Sequence, residues 1–168
     1  MAKIKLNVPV LAQEKSMCCW HTSANMIWLY WQGQTGRQGP MNTVMPVYDA
    51  NTGLPASPQA FIVLAKKTGL KALASKNQYT SEDLSSFLRD NGPLWCAGFW
   101  YGFGHVIVLT GVDGGEVFLN DPDGGQNEEG NAGLVQREAG QCACRFTHVQ
   151  RSGRVLRVRQ ASQARRGK

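Results

Sequence analysis

The chain has 168 residues and a mass of 18.4 kDa, enough for one domain with a hydrophobic core and too small for two domains of ordinary size. Hydrophobic residues make up 42% and charged residues 18% of the sequence, as is typical of soluble globular proteins. No apolar run reaches the roughly 20 residues that a membrane-spanning helix needs, because Gln32 and Gly33 interrupt the run ending at Trp31. The sequence therefore predicts one domain over residues 1–159 and no membrane span.

The net charge of +6 is unevenly distributed along the chain. Seven of the 18 basic residues and none of the 12 acidic residues lie at 151–168, so the preceding chain carries 11 basic against 12 acidic residues. A basic end on a nearly neutral domain is more typical of a solvated terminus than of a nucleic-acid interface. We therefore expect residues 160–168 to form a disordered basic tail and expect no nucleic-acid partner.

The five cysteines do not form the regular pattern of a disulfide-stabilised domain. Their number is odd and their spacing uneven, so at least one thiol remains free. The pairs 18–19 and 142–144 are closer in sequence than the ligands of structural zinc sites, so we expect no metal. The cysteines are Cys18, Cys19, Cys96, Cys142 and Cys144.

The predicted elements place helices before strands. Alternating apolar residues at 4–12 predict an extended lead-in, which Pro9 limits to an edge position. Apolar residues at three- and four-residue steps predict a helix from Cys18 to Trp31, followed by an irregular connection over 32–56. Further on, the pattern predicts a helix from 58 towards 69 capped by Ser57, a strand at 70–74, a helix capped by Thr80 or Ser81 and ending at 91–93, and strands at 94–100, 106–110, 116–119, 144–149 and 154–158. This order predicts an α+β fold, with an N-terminal helical part packed on a C-terminal antiparallel sheet.

One cysteine and one histidine stand where nucleophilic catalysis needs them. Cys19 lies at the start of a predicted helix, where unpaired N–H groups and the helix dipole stabilise a thiolate. His105 follows a stretch rich in glycine and aromatic residues and begins an apolar strand, which places it at the mouth of a cleft. The two residues form a candidate nucleophile and base. Cys18 is a rival nucleophile, because it directly precedes Cys19.

A hairpin is predicted to supply the acceptor that orients His105. A three-residue loop would pair Val112 with Glu116 and place Asp121 on the histidine's face, whereas a two-residue loop would place Asn120 there. The Asp-Gly-Gly turn sequence favours the three-residue loop. A carboxylate is also the stronger acceptor for an imidazolium. We therefore predict Asp121, with Asn120 as the alternative.

Gln13 lies six residues before Cys19, on the lead-in to the helix. Its side-chain amide is placed to donate to a developing oxyanion together with the Cys19 backbone N–H. Each candidate also has a structural interpretation: a buried helix cysteine, a strand-end histidine, a turn-forming aspartate or a loop amide. Their combination is what indicates catalysis.

These residues resemble the pattern of papain-like cysteine proteases. Gln13, the six-residue step to Cys19 and the following Trp20 match the family's first motif, and the order Cys, His, then Asn or Asp matches the rest. Residues 8–13, 104–111 and 120–122 are most similar to compact bacterial members: leader-cleaving peptidase domains of bacteriocin exporters and papain-like effectors of bacterial pathogens. The resemblance spans about residues 8–122, and we assign no family counterpart to the glycine-rich segment 123–140.

The resemblance implies a papain-like cysteine endopeptidase that needs no cofactor and no metal. Cys19, His105 and Asp121 would be catalytic, and Gln13 would form the oxyanion hole. A protein or peptide would be the substrate, and the enzyme would be a monomer. The residues expected to bind substrate are Trp20, Phe99, Trp100, Tyr101, Phe103 and Gly104.

The resemblance also suggests a biological role. The start of the chain lacks the apolar region of a signal peptide, and no exporter membrane domain follows. We therefore expect a bacterial effector or antibacterial toxin, secreted by a signal-peptide-independent route to act in a target-cell cytoplasm, with an immunity protein that blocks the cleft in the producing cell. The alternatives are a cytoplasmic enzyme, a leader-processing peptidase, another cysteine-dependent acyl-transfer enzyme such as an amidase, deamidase or transglutaminase-like enzyme, and a binding module with a vestigial triad.

Overall fold

Three helices and seven strands are found in the residues that the computed structural model describes, which are 3–36, 41, 53–55, 57–72, 79–98, 104–129 and 156–158. The helices are α1 (Cys19–Thr35), α2 (Pro58–Thr68) and α3 (Ser81–Asn91). The strands are β1 (Lys3–Lys5), β2 (Leu70–Ala72), β3 (Leu94–Gly98), β4 (His105–Asp113), β5 (Glu116–Asp121), β6 (Gln126–Glu129) and β7 (Leu156–Val158).

The helix ends follow local sequence signals. α1 continues four residues beyond its predicted end and stops at Gly36, whose φ of +66° is the left-handed conformation that closes a helix. The hydroxyl of Ser57 caps α2 by accepting from the Ala60 N–H at 3.2 Å. Thr80 caps α3 through a reciprocal pair of bonds with Asp83, each 3.1 Å long.

The described strands form one antiparallel sheet. Its order is β2-β7-β3-β4-β5-β6, and β1 pairs with the far end of β4. The predicted α+β class is therefore confirmed. Two details were not predicted: β1 and β2 join the sheet from the helical half of the chain, and β6 lies in the glycine-rich segment 123–140.

Helices cover both faces of the sheet, which explains why β3 and β4 read as continuous apolar runs. Trp95 and Val108 face one layer and pack with residues of α1 and α2. Leu94 and Ile107 face the other layer and pack with Leu88 of α3. Strand residues alternate between the faces, so each layer receives every second side chain.

The turn between β4 and β5 differs from the predicted one. Asp113 pairs with Glu116 and leaves a two-residue loop, so the predicted three-residue loop is wrong. Gly114, the first loop residue, has a φ of +60°, which suits the tight two-residue hairpin turns. The Asp-Gly-Gly sequence is compatible with both loop lengths. By itself, the shorter loop would place Asn120 on the face of His105.

A β-bulge in β4 reverses this effect. The pairing with β5 shifts between Leu109 and Gly111, which leaves Thr110 as an extra residue on β4. One extra residue restores the register that a three-residue loop would have produced. Asp121 therefore lies on the same side of the sheet as His105, as predicted, although the reason differs.

Several sequence predictions fall on residues outside those described. They are the strand at 144–149, the tail at 160–168 and the aromatic residues Phe99, Trp100, Tyr101 and Phe103. In the described part of the chain, no helix is both long and apolar enough to cross a membrane.

Candidate active site

The start of α1 and the start of β4 meet at a cavity of about 110 Å³. Both Cys19 and His105 border it. The wall is mostly apolar, and three glycines take part in it. The lining residues are Met17, Cys19, Trp20, Gly53, Leu54, Phe61, Ala97, Gly98, Gly104, His105 and Val106.

Cys19 is the first residue of α1. Cys18 precedes it as the N-cap and contributes no side-chain cap bond, and the first turn contains no acidic residue. The N–H groups of a first turn have no acceptor within the helix, and they make the N-terminus electropositive. The Cys19 sulfur therefore lies at the electropositive end of α1, in a first turn that contains no carboxylate.

His105 and Asp121 form a buried pair. The Nε2 atom of His105 lies 2.7 Å from Oδ1 of Asp121, and both residues are 5% exposed. The Asp123 backbone N–H donates to the same oxygen at 2.8 Å. Because a carboxylate only accepts, Nε2 carries the proton. The other ring nitrogen, Nδ1, is left for the hydrogen bond between His105 and the side chain of Cys19.

The environment of His105 keeps its ring protonated. Burial alone would lower the pKa of His105, but hydrogen bonds and charges from Asp121 and Cys19 outweigh burial and raise the pKa to about 9. At neutral pH the ring is therefore an imidazolium held between a carboxylate and a sulfur. Such a group can donate a proton to a leaving amine.

Cys18 faces a different part of the molecule from Cys19. Its side chain lines a second cavity of about 390 Å³, on the side of α1 that carries His21. Burial raises the pKa of the Cys18 thiol and lowers that of the His21 imidazole, so neither group is charged at neutral pH. The structure brings Cys19 to His105 and leaves Cys18 apart from that pair.

Gln13 lies beside the site, in the loop leading to α1. Its backbone N–H donates to the Pro122 carbonyl at 2.8 Å, and its Nε2 donates to the Ser16 carbonyl at 3.3 Å. Its Oε1 is buried and has no hydrogen-bond partner among the described residues. The Gln13 side chain is not one of those bordering the Cys19 cavity in the described part of the chain.

Two of the predicted substrate-binding residues are described. Gly104 is exposed and borders the cavity. Trp20 also borders it but is only 2% exposed, so it belongs to the core beneath the cleft. Phe99, Trp100, Tyr101 and Phe103 lie outside the described residues, between two glycines, Gly98 and Gly104, that both line the cavity.

Two buried hydrogen bonds join α1 to the sheet next to this site, and sequence reasoning missed both. Ser23 Oγ donates to the Val106 carbonyl at 3.1 Å, and Trp95 Nε1 donates to the Trp20 carbonyl at 3.0 Å. Each carbonyl belongs to a residue adjacent to Cys19 or His105. A small polar residue four positions after Cys19, on its side of the helix, was the available signal for Ser23.

The described residues contain no group of three or more His, Cys, Asp or Glu side chains arranged to hold a metal ion. The arrangement around the cavity has the chemistry of nucleophilic acyl transfer: a sulfur at a helix N-terminus, an imidazolium beside it and a carboxylate orienting the ring.

Comparison with known families agrees with this geometry. A family model described as papain-like cysteine protease AvrRpt2 matches residues 2–136, a range that includes the lead-in, Cys19, His105 and Asp121. No curated protein matches the chain significantly. The match covers most of the chain and confirms the expected papain-like fold and cysteine peptidase activity. The chain belongs to the AvrRpt2 family of papain-like cysteine proteases.

Proposed function

We propose that this peptidase is an endopeptidase in which Cys19 is the nucleophile, His105 transfers protons and Asp121 orients the imidazole. The observation that carries the proposal is the position of His105, with one ring nitrogen 2.7 Å from a buried carboxylate and a hydrogen bond to the Cys19 side chain. A base held by a third group and paired with a nucleophile is the geometric signature of covalent catalysis.

Acylation begins when the Cys19 thiolate attacks the carbonyl carbon of the scissile peptide. A C–S bond forms, and the carbonyl π pair moves to oxygen. The imidazolium of His105 then donates its Nδ1 proton to the departing nitrogen as the C–N bond breaks. A thioester remains on Cys19. Neutral His105 next takes a proton from water, which attacks the thioester, releases the acid and restores the thiolate.

The proposed oxyanion hole consists of the Cys19 backbone N–H and the Gln13 side-chain amide. The Ser16 carbonyl uses one N–H of that amide, and the second N–H is the proposed donor. Removing one such donor in other enzymes lowers kcat by about 10² to 10³. The backbone bond from Gln13 to Pro122 supports this role, because it fixes the donor's loop next to the turn that follows Asp121.

The cavity lining favours an apolar substrate side chain. Met17, Leu54 and Phe61 are among the apolar residues of its wall, and Met17 is 42% exposed. A methionine adapts its shape to a bound group. We include the aromatic residues at 99–103 in the proposed substrate groove, because the chain enters and leaves that segment at two cavity-lining glycines.

The proposed role is that of a secreted bacterial effector or toxin that cleaves proteins in the cytoplasm of a target cell as a monomer. Its support is the resemblance of residues 8–13, 104–111 and 120–122 to papain-like effectors of pathogens. If it acts as an antibacterial toxin, the producing cell needs an immunity protein that covers the Cys19 cavity.

Mass spectrometry of new protein N-termini tests the proposal. Purified protein is incubated with lysates of bacterial and eukaryotic cells, in parallel with Cys19→Ala, Asp121→Ala and Cys18→Ala. We expect new termini with the unaltered protein and with Cys18→Ala, none with Cys19→Ala, and a loss of orders of magnitude in rate with Asp121→Ala. Circular dichroism establishes that each variant is folded.

Other outcomes would contradict specific parts of the proposal. Activity retained in Cys19→Ala and lost in Cys18→Ala would reverse the nucleophile assignment. Conversion of glutamine to glutamate side chains without new termini would identify a deamidase. Cleavage confined to one leader peptide, with no cytoplasmic target, would remove the effector role.

A further inference from the structure

Asn120 is buried beside the proposed triad but takes no part in it. It is 2% exposed, and its Nδ2 donates to the carbonyls of Val8 at 3.1 Å and Pro9 at 3.4 Å. Successive strand residues point to opposite faces, so Asn120 and Asp121 reach different neighbours. Asp121 holds His105, whereas Asn120 holds the start of the lead-in that carries Gln13.

The turn that follows β5 contacts the lead-in at two further points. The Gln13 N–H donates to the Pro122 carbonyl at 2.8 Å. Gly125 lies so close to Ala12 that a Cβ at this glycine would be 2.9 Å from the Ala12 Cβ. Together with Asn120, these contacts attach both ends of residues 8–13 to the end of β5 and the turn after it.

Away from β5, the lead-in meets both the hydrophobic core, in which Val8 is buried and against which Leu11 packs, and a cavity. There the cavity of about 390 Å³ lies between Leu11, Ala12 and Lys15 on one side and Cys18 and His21 on the other. Side chains facing open space have fewer contacts that resist displacement than those in a close-packed interior. The hydrogen bonds to Asn120 and Pro122 therefore act together with the apolar packing of Val8 and Leu11 in setting the position of the lead-in.

We propose that Asn120 is a positioning residue for the oxyanion hole: by binding the Val8 and Pro9 carbonyls it fixes the lead-in and thereby the amide of Gln13. The inference rests on the proposed function, since it assigns Gln13 to the oxyanion. Two adjacent residues of β5 then set the two sides of the cleft. Asp121 orients the imidazole, and Asn120 holds the loop that carries the proposed oxyanion donor.

A peptide aldehyde separates this role from a purely structural one. With N-acetyl-leucyl-leucyl-norleucinal, the Cys19 sulfur bonds to the aldehyde carbon and the carbonyl pair moves to oxygen, which needs the oxyanion hole but no leaving group. Alkylation of Cys19 by iodoacetamide needs the thiolate and no oxyanion hole. Both are measured for the unaltered protein, Asn120→Ala, Gln13→Ala and the double variant.

We expect Asn120→Ala to weaken aldehyde binding roughly tenfold, less than the loss of a whole donor, and to leave the alkylation rate unchanged. In the Gln13→Ala background the same substitution should change aldehyde binding by less than about twofold, because coupled residues are non-additive. Thr68→Ala is the matched control: Thr68 is 3% exposed and donates within α2 to the Leu64 carbonyl at 2.7 Å. It should lower the melting temperature without changing aldehyde binding.

Gly125→Ala reaches the same lead-in if Asn120→Ala fails to fold, and it should give the same coupling to Gln13. Equal losses in both backgrounds, or parallel losses of alkylation and aldehyde binding, would show a structural role and overturn the inference. If Cys19 of the unaltered protein reacts with neither reagent, the proposed function and the inference both fail. Normal reactivity without coupling to Gln13 refutes the inference alone.

Discussion

His105 keeps its proton in a buried position because acceptors flank the ring on both sides. The Asp121 carboxylate accepts from Nε2, and Cys19 pairs with the ring as well. A lone buried imidazole would instead be neutral, as burial makes His21. The two histidines lie at opposite sides of the α1 start and differ in charge for this reason.

The raised pKa of His105 predicts a pH dependence. The folded-state pKa of about 9 exceeds the ordinary value of 6.5, so the ring's contribution to the free energy of unfolding is complete below about pH 6.5 and is lost as the pH rises through about 9. NMR titration of the His105 ring proton should show a midpoint near 9, and Asp121→Asn should lower it. A midpoint near 6.5 in the unaltered protein would contradict the buried pair.

Single residues differ in how far the sequence reveals them. Cys19 and His105 stand at element boundaries with local signals, a helix start and a strand start, so both could be predicted. Ser23, Trp95 and Asn120 bind backbone carbonyls that lie 75 to 112 residues away in the chain. A side chain that bonds to backbone imposes no residue type on its partner, so no motif records the contact.

At the scale of elements, the β4–β5 hairpin shows two departures from expectation that cancel. The two-residue loop shifts the β4–β5 pairing by one residue from the predicted register, and the bulge between Leu109 and Gly111 shifts it by one residue in the opposite direction. The sequence predicts the position of Asp121 because the final register equals the one assumed. It does not predict the bulge, since a residue such as Thr110 in an apolar strand carries no turn signal.

The bulge predicts an unusual sensitivity at Gly111. A Cβ there would lie 2.6 Å from the Ile4 carbonyl oxygen and 3.0 Å from Phe118, so alanine must push β1 away from β4. We expect Gly111→Ala to lower the free energy of unfolding by about 1–3 kcal/mol, the usual range for overpacking. Urea denaturation followed by circular dichroism measures the change.

Gly33→Ala is the matched control for this substitution. Gly33 lies in α1, and a Cβ there meets nothing within 4 Å, so the same change should raise stability by roughly 0.5–1 kcal/mol through helix propensity. If Gly111→Ala proves as harmless as Gly33→Ala, β1 does not pack against the bulge as described.

At the scale of the whole molecule, the site forms where the two halves of the chain meet. The N-terminal half supplies the lead-in and α1, and β4 and β5 supply His105 and Asp121. The sheet also takes in β7, which pairs with β2 and β3 although it lies beyond the matched residues 2–136. The predicted domain limit at residue 159 falls just after this strand.

Charge and topology together predict where the chain can be shortened. Residues 160–168 follow β7 and carry three of the seven basic residues of the 151–168 segment, while every residue of the proposed site precedes residue 122. Deleting 160–168 should leave the rate of Cys19 alkylation and the yield of new protein N-termini unchanged.

Deleting 154–168 removes β7 and exposes the edges of β2 and β3 to which it bonds, so this longer truncation should lower the melting temperature. Both truncations are measured by thermal denaturation and by the same cleavage assay. A large loss of cleavage in the shorter one, with its melting temperature unchanged, would mean that the basic tail contributes to substrate binding or to the site itself.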